Sequence, residues 1–545
     1  MIFNPSRFNQ NLTSIFWSIE KKYLELFWLL GISLAAIILF SINLGGVPLR
    51  DWDEGIVASV AKEIYLAPLD SYHWLYPTLD GQPYWNKPPL IHWLIALAYG
   101  GFGINEWTTR LPTAILSALS VPLVYAVGRE IFKQSSPAIF AALVYLTLLP
   151  SVRHGRLAML DGAIVCFSLL TIWSILRSRW HIRAVWGVGL GLGLICLTKG
   201  LMLGFLIGSI ALIFVLWDCP LLLMRGYLWW GIILGLIPAL TWYLFQYLHY
   251  GAQFTQVNLV EQTFSRIWLS VSDHRQPAWY YFGEILKYAH PWLLFLPEAI
   301  ILALRALRSR SLRDRASSWA KLTLTWSLVY LLAISLMATK LPWYIMPIYP
   351  AFSLLIGAKI ARYWHSSSHA PISKFFWLLL TLASWIGTFV LVLGATETDN
   401  YLELALITIA VTFTLTTILF VKQSRYFIVS LIGGLYLAFL LFFSSQYWVW
   451  ELGEAYPVKP VAAMIKQVIP SQKVVFTSYP YHRPSLNFYS DRRVIPVSVT
   501  TLKQYWLEEK ESYFLIKPDL IDKLDLKPQR ILGQTDRWQV ITQDY

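Results

Sequence analysis

Two neighbouring acids, Asp53 and Glu54, stand in the segment RDWDEGIVASVAKEIYL. The apolar residues after them recur at helical spacing with polar residues on the opposite side, so the segment predicts an amphipathic helix on a membrane surface. A carboxylate at the start of a helix can cap free backbone N–H groups. At a boundary between water and membrane, it can instead act as a general base beside a lipid-linked substrate. Spacing alone leaves both interpretations of Asp53 open.

A lysine stands directly before two prolines in the segment YWNKPPLIHWL, at Lys87. The prolines fix the backbone and disfavour helical geometry at the residue before them, so the ammonium group of Lys87 is held in place. A lysine beside an apolar run can simply extend its charged end toward water. A cation fixed at the level of the lipid headgroups would also suit a phosphate.

Further charged residues lie at the ends of other apolar runs. Arg266, in VEQTFSRIW, carries a planar guanidinium group that can bind a phosphate through two parallel hydrogen bonds. The segment MATKLPWYIMPIYP adds Lys340 and Tyr344, although its prolines also suit a packing role in a membrane helix. Lys199 is a further candidate for phosphate binding. The candidate cavity-lining residues are His154, Arg156, Asp161 and Glu261.

The elements that must position these residues are predicted to be membrane helices. Of the 545 residues, 56% are hydrophobic and only 14% are charged. Runs of about 20 apolar residues, long enough to cross a bilayer, recur from about residue 24 to residue 446. The sequence therefore predicts a polytopic α-helical membrane protein with about 13 transmembrane helices.

Loop charge predicts the orientation of these helices. The segment RALRSRSLRDRASSWAK holds six cations and one acid, which places it in the cytoplasm. Counting membrane crossings from this segment places the N-terminus in the cytoplasm. The same count places the candidate residues named so far, and everything after about residue 447, on the extracytoplasmic side. This count of crossings is consistent only if the run 89–104 does not cross the membrane. A helix of that length would be about 24 Å long, shorter than the hydrocarbon core of about 30 Å. We expect a juxtamembrane or half-inserted helix there.

Two domains follow from the change in composition along the chain. Residues 1–450 form the predicted transmembrane domain, and residues 451–545 alternate helix-like and strand-like segments, which indicates a small extracytoplasmic α/β domain. That domain could recruit an acceptor or cover the membrane domain. The net charge of +13 resides in clusters beside apolar runs, so we expect no nucleic-acid partner.

The quoted segments resemble a known family when they are taken together. RDWDEGIVASVAKEI, YWNKPPLIHWL, VEQTFSR and TKLPWYIMPIYP are similar to segments of the bacterial GT-C glycosyltransferases related to protein O-mannosyltransferases and to the lipid A aminoarabinose transferase. The similarity covers roughly residues 24 to 360. It implies a GT-C-like fold in the bacterial inner membrane with external juxtamembrane helices and the C-terminal domain in the periplasm.

The resemblance also implies an activity and roles for individual residues. Such a protein transfers a hexose or pentose from a polyprenyl-phosphate donor, with inversion, to a lipid, protein or glycan acceptor on the periplasmic side. Asp53 would be the base that activates the acceptor, with Glu54 its adjoining acid. Lys87, Arg266 and Tyr344 would hold the donor phosphate as it leaves.

Two positions depart from the family pattern. The aminoarabinose transferases have a glutamate and a histidine, both associated with a metal, where this chain has Asn86 and Gln262. Neither is a usual zinc ligand. We therefore expect no required cofactor and no metal-ligand set, while assistance by a divalent metal stays open.

Other functions are also compatible with a polytopic chain of this kind. A transporter or flippase of lipid-linked sugars is the main alternative, and a non-catalytic protein that binds sugar-lipids is another. A transporter would be expected to show internal repeats and polar, broken helices near the bilayer midplane. The charges of this chain concentrate instead at one predicted surface.

Overall fold

The computed structural model describes residues 5–269, 275–308, 317–366, 374–394, 399–508, 512–526, 529–535 and 537–543. The cytoplasmic segment predicted from its charge lies partly outside these residues, at 309–316. The α-helices in chain order are α1 Pro5–Ser41, α2 Asp53–Leu66, α3 Leu90–Phe102, α4 Glu106–Ile131, α5 Ser135–Leu146, α6 Leu149–Arg156, α7 Asp161–Ser178, α8 Val185–Lys199, α9 Leu201–Asp218, α10 Gly226–Tyr250, α11 Ala252–Thr255, α12 Ser265–Trp268, α13 Tyr280–Tyr288, α14 Leu296–Arg308, α15 Ser318–Leu336, α16 Tyr349–His365, α17 Lys374–Gly394, α18 Asn400–Val421, α19 Phe427–Ser444, α20 Val458–Val468, α21 Pro484–Ser490, α22 Val499–Glu508 and α23 Pro518–Leu524.

Shorter elements complete the described chain. A π-helix covers Gln256–Phe264, between α11 and α12. The 3₁₀ helices are Leu69–Ser71, Ile182–Ala184, Pro220–Leu222, Trp292–Phe295, Pro342–Ile348 and Trp450–Glu454. The strands are β1 Thr78–Leu79, β2 Gln82–Pro83, β3 Val474–Thr477, β4 Arg493–Pro496, β5 Tyr513–Ile516, β6 Gln529–Thr535 and β7 Trp538–Gln543.

The number of membrane helices agrees with the sequence prediction. Within the described residues, eleven helices are long and apolar enough to cross a membrane, and two bent pairs raise the number to as many as 13. The bent pairs are α5 with α6, and α13 with Trp292–Arg308. Helix α3 has only 13 residues, too few to cross a bilayer, as expected for the run 89–104.

Small residues let two membrane helices approach closely. Helix α8 carries Gly189 and Gly193, and α10 carries Gly231 and Gly235, each pair one helical turn apart. A Cβ atom built on Gly189 would lie 1.8 Å from the carbonyl oxygen of Gly231, and one on Gly235 would lie 2.0 Å from the carbonyl carbon of Gly189. Such glycine contacts are a main source of helix association in a bilayer, where apolar burial drives little.

The C-terminal residues form the expected α/β domain around a five-stranded sheet. Its strand order is β4-β3-β5-β7-β6, with β3 parallel to β4 and β5, and with β7 antiparallel to β5 and β6. Apolar residues of α20 and α21 cover one face, and those of α22 and α23 cover the other. The central strands are accordingly short apolar runs, typical of a sheet buried on both faces. Strands β3, β4 and β5 lie in the strand-like segments KVVFTSY, RVIPVSV and SYFLIK, whereas the hairpin of β6 and β7 was not predicted.

The glycine contact between α8 and α10 predicts a specific loss of stability. Gly235→Val places side-chain atoms where the backbone of α8 lies, so the helices must separate. We expect a free-energy loss of about 1–3 kcal/mol, as for other overpacked sites, visible as a lower unfolding temperature in detergent. Gly387→Val is the matched control, because a Cβ at Gly387 meets no described atom within 4 Å. Equal unfolding temperatures for the two variants would contradict this packing.

Candidate active site

Helix α2 begins with a strained turn that presents Asp53. Trp52 has φ 63° and ψ −73°, and the amide of Asp53 donates to the carbonyl of Asp51 at 2.8 Å. This is a γ-turn with positive φ, a rare and strained conformation. The N-cap position of α2 is occupied by Trp52, whose side chain makes no capping hydrogen bond, and Asp53 is the first residue inside the helix. Asp53 is therefore not the N-cap residue that the sequence pattern allowed.

The carboxyl group of Asp53 lies in a partly closed, charged environment. Its side chain is 24% exposed, and Oδ2 lies 3.5 Å from Nη1 of Arg50. Burial raises the pKa of Asp53 to about 6; Arg50 and Lys199 oppose this rise, and Asp161 adds to it. A carboxylate with a pKa near the working pH is suited to accepting a proton.

Glu54 has the opposite environment, because it is completely buried in an ion pair with Arg110. Arg110 Nε donates to Oε1 and Nη2 donates to Oε2, both at 2.7 Å. The amides of Arg50 and Ala158 donate to the same carboxylate at 2.9 and 2.7 Å. These contacts hold the pKa of Glu54 below its ordinary value despite the burial, which alone would raise it. We therefore assign Glu54 to anchoring α2 rather than to the chemistry expected of it.

The predicted phosphate ligands come from three separate segments. Arg266 Nη1 donates to the hydroxyl oxygen of Tyr344 at 3.0 Å, and the ammonium of Lys199 lies 4.9 Å from the centre of the Tyr344 ring. Asn258, on the π-helix, donates to the carbonyl of Trp85 at 2.6 Å and so ties the segment before Arg266 to the Lys87 loop. π-Helices are frequent at functional sites.

Lys87 completes this cationic cluster. Burial, together with the charges of Arg266 and Lys199, lowers the pKa of Lys87 to about 7, while Asp161 opposes the shift. Lys199 is itself paired with Asp161 at 2.5 Å. The cluster of Lys87, Arg266 and Lys199 thus brings three basic groups together near the carboxylates of Asp161 and Asp53, and a phosphate would stabilise the charged forms of these basic groups.

The remaining candidates lie elsewhere. Arg156 is buried, donates to the carbonyls of Leu39 and Ile42 at the end of α1, and so holds that helix end rather than lining a cavity. Lys340 donates to the carbonyl of Met337, with no contact to the cationic cluster among the described residues. Glu261 is exposed on the π-helix. His154 lines a separate cavity.

The C-terminal domain contacts the turn before Asp53 directly. Arg483 Nε donates to Oδ2 of Asp51 at 2.8 Å, and the Ser485 hydroxyl donates to Oδ1 of the same carboxylate. A Cβ atom on Gly55 would lie 2.7 Å from the amide nitrogen of Ser485, so α2 and α21 pack with no room for a side chain. The strained turn is therefore held from outside the membrane domain.

Further contacts extend this interface on both sides of α2. The Tyr489 hydroxyl accepts from the amide of Leu49 at 2.8 Å and lies 2.9 Å from Glu106 Oε1. Lys62 pairs with Asp491. The sequence pattern did not predict four anchoring residues, Arg50, Asp51, Arg110 and Arg483. A usable signal existed for Arg110, since it stands near the start of a long apolar run.

One of the two positions that differ from the metal-associated pattern, Gln262, is already engaged by a neighbouring side chain. The Oε1 atom of Gln262 accepts from Arg266 Nη2 at 2.5 Å, so its donor atom is already engaged. Among the described residues, no group of three or more His, Cys, Asp or Glu side chains has a spacing that could hold a metal ion. We derive no step through a metal.

Comparisons with known proteins agree with this architecture. A profile of the dolichyl-phosphate-mannose-protein mannosyltransferase family matches residues 86–245. An undecaprenyl phosphate-alpha-4-amino-4-deoxy-L-arabinose arabinosyl transferase of Pseudomonas fluorescens (strain Pf0-1) is 30% identical over 341 residues, which cover 61% of this chain and 59% of that protein. An uncharacterized protein of Aquifex aeolicus is 25% identical over 84% of this chain and 86% of its own length. The chain spans about half the length of the curated transferases it matches.

Solved structures extend the likeness to almost the whole chain. The crystal structure of ArnT from Cupriavidus metallidurans bound to undecaprenyl phosphate has a TM-score of 0.75 at 19% identity, covering 94% of this chain and 97% of that one. Its apo state gives 0.74 at 18% identity, covering 95% and 98%. The protein is thus a multi-pass membrane protein with the GT-C fold. Parts of its sequence are similar to the protein mannosyltransferase family and to the aminoarabinose transferases.

The contact between Asp51 and the C-terminal domain predicts a local effect on dynamics. Arg483→Ala removes a charge-assisted hydrogen bond, of a kind that contributes about 1.5–3 kcal/mol, so the strained turn should open more often. We expect amide hydrogen exchange in residues 49–58 to accelerate about tenfold or more, with little change in the membrane helices. Arg493→Ala, in the same domain but exposed, is the control. Unchanged exchange in the Arg483 variant would show that this contact does not hold the turn.

Proposed function

We propose that this chain is an integral-membrane inverting glycosyltransferase that moves a sugar from a polyprenyl-phosphate donor to an acceptor hydroxyl. One observation carries the proposal: Lys199 interacts electrostatically both with Asp53, a carboxylate of raised pKa, and with Lys87 of the cationic cluster. The carboxylate and the cluster therefore lie close enough to act on one substrate. The names of the relatives support the donor class, since they carry undecaprenyl phosphate with an amino sugar. The sugar of this chain is either a hexose or a pentose.

The cationic cluster supplies the leaving-group side of the proposed reaction. As the bond between the anomeric carbon and the phosphate oxygen breaks, negative charge grows on the phosphate. Fixed donors from Lys87, Arg266 and Tyr344 would stabilise that charge in surroundings of low dielectric. The hydrogen bond from Arg266 Nη1 to the Tyr344 hydroxyl at 3.0 Å holds these two side chains together, and Arg266 Nε, which has no hydrogen-bond partner among the described residues, is available to a phosphate oxygen.

Asp53 supplies the acceptor side. Inversion requires the acceptor to approach the face of the sugar opposite the phosphate, with a base beside the acceptor hydroxyl. Asp53 would take the proton as the new bond forms, and the anchored Glu54 and the strained turn keep its carboxylate in place. Binding both substrates at one interface removes much of the entropic barrier.

The same proposal sets the position of the protein in the cell. We infer a multi-pass protein of the bacterial inner membrane with the N-terminus in the cytoplasm, the site and the C-terminal domain in the periplasm, and membrane lipids around the helices. Loop charge supports this orientation. The acceptor is a lipid, a protein or a glycan. No cofactor is required on this proposal.

Loss of the base tests the activity itself. Wild type and Asp53→Asn would be incubated with a membrane extract and a panel of radiolabelled polyprenyl-phosphate sugars. We expect transfer by wild type and a loss of about 100-fold or more in the variant, the usual contribution of a general base. Asp70→Asn, an exposed carboxylate on the same external segment, should retain activity. Equal transfer by Asp53→Asn would remove it as the base.

The pH dependence of kcat/KM tests the pairing of acid and cation. Asp53 must lose its proton to act, so the rate should fall as the pH drops below about 6. Lys87 must keep its proton to bind phosphate, so kcat/KM should also fall as the pH rises above about 7. In Lys87→Arg the cation does not titrate, and the alkaline limb should disappear while the acid limb stays. An alkaline limb unchanged in that variant would exclude Lys87 as its source.

A further inference from the structure

A second cavity lies next to Asp53 but apart from the cationic cluster. The cavity is partly open, and the empty space within it together with the solvent at its mouth amounts to about 530 Å³. Arg50, whose guanidinium contacts Asp53, forms part of its wall together with residues from α6, α13, the Pro342–Ile348 turn and the Trp450–Glu454 turn. None of Lys87, Arg266 or Tyr344 lines it.

The apolar part of this cavity is aromatic. The rings of Tyr288 and Trp450 are nearly parallel, with an angle of 8° between their planes and centroids 6.4 Å apart. Trp343, the residue before Tyr344, lies beneath the guanidinium of Arg50 at 5.3 Å. The guanidinium of Arg153 lies over the Trp450 ring at 3.2 Å, so each tryptophan has one face covered by an arginine. The remaining aromatic surface forms an apolar wall against which the C–H face of a sugar ring can pack, with its hydroxyl groups free for polar contacts.

The polar part of the cavity carries balanced charges. Glu284 and Glu451 contribute carboxylates, and Arg50 and Arg153 contribute guanidinium groups. Arg153 pairs with Glu451 and donates to the carbonyl of Trp448 at 3.0 Å. Because two positive and two negative groups share the wall, the cavity has no net preference for an anion, whereas hydroxyl groups can both donate to the carboxylates and accept from the guanidinium groups.

Arg50 leaves one donor unused at the boundary between this cavity and Asp53. Its Nη1 is buried and has no hydrogen-bond partner within the described residues. It lies 3.5 Å from Asp53 Oδ2 and 3.6 Å from Glu451 Oε1, too far for a good hydrogen bond to either. A buried donor without a partner is costly, and an acceptor oxygen placed between Asp53 and Glu451 would satisfy it.

We propose that this cavity binds the acceptor, and that the acceptor presents a neutral saccharide there. This inference rests on the proposed function and names the substrate class of the same site. One saccharide hydroxyl would accept from Arg50 Nη1 and lie beside Asp53. Its oxygen attacks the anomeric carbon of the donor, its proton passes to Asp53, and the bond from that carbon to the phosphate breaks, so that polyprenyl phosphate leaves with the electron pair.

The kinetic test separates the two substrates. Glu284→Gln and Tyr288→Leu would be assayed as full-length protein with varied acceptor and varied donor. We expect the acceptor KM to rise about tenfold, the effect of about 1.4 kcal/mol, with the donor KM within about twofold of wild type. Glu284 is chosen over Glu451 because Glu451 also neutralises Arg50 and Arg153. Glu454→Gln, exposed and outside the cavity, is the control.

Two kinetic results would overturn the assignment. Unchanged acceptor KM in both variants would show that the cavity does not contact the acceptor. A rise in donor KM instead would assign the cavity to the donor. If the variants have a lower kcat and a lower unfolding temperature while both KM values stay unchanged, these residues only maintain the fold.

A binding test decides the matter without turnover. Saturation-transfer NMR on the detergent-solubilised full chain would use methyl glucoside, methyl mannoside and diacetylchitobiose as neutral probes, and glucose 1-phosphate as an anionic one. We expect a neutral probe to bind wild type and Glu454→Gln, and to lose its signal with Glu284→Gln. Binding of none of them, or of the phosphate alone, would overturn the inference. Probe binding in a protein that transfers no sugar would refute the proposed function but not the saccharide site.

Discussion

The ion pair between Glu54 and Arg110 is the interaction on which the arrangement of the site depends. Arg110 uses all five of its N–H groups, two toward Glu54 and three toward the carbonyls of Leu44, Val47 and Pro48. A buried ion pair is tolerable only when its hydrogen bonds are satisfied in this way, and losing one partner typically costs about 3–5 kcal/mol. The pair joins α2, α4 and the segment after α1 at one point.

The rigid contact between Glu54 and Arg110 helps to keep the strained turn at Trp52 in place. Trp52 adopts an unfavourable γ-turn, which persists only if its surroundings over-determine it. On one side the carboxylate of Glu54 is fixed by Arg110; on the other, Asp51 is fixed by Arg483 and Ser485 of the C-terminal domain. Asp53 lies between these two restraints. The C-terminal domain is therefore part of the framework of the site, a role beyond the covering or recruiting functions suggested by its sequence.

The sequence could predict what depends on local pattern. Runs of apolar residues predicted the membrane helices and the short helix α3. The two prolines that follow Lys87 restrict the backbone, and this restriction marked Lys87 as a candidate. The sequence could not predict which charges are neutralised by partners distant in the chain. Glu54 looked like a second catalytic acid and Arg156 like a cavity residue, because nothing local shows that their partners are Arg110 and the end of α1. The partners of Asp51 are Arg483, 432 positions later, and Ser485.

Burial shifts the two central groups of the proposed site in opposite directions, and substrate binding would act on both. The pKa of Asp53 is raised to about 6 and that of Lys87 is lowered to about 7, so each group is near its titration point at neutral pH. A donor phosphate beside Lys87 favours its charged form, which restores the cation when it is needed. The same negative charge raises the pKa of Asp53 and makes it a stronger base. Donor binding would therefore prepare both halves of the site before the acceptor hydroxyl arrives.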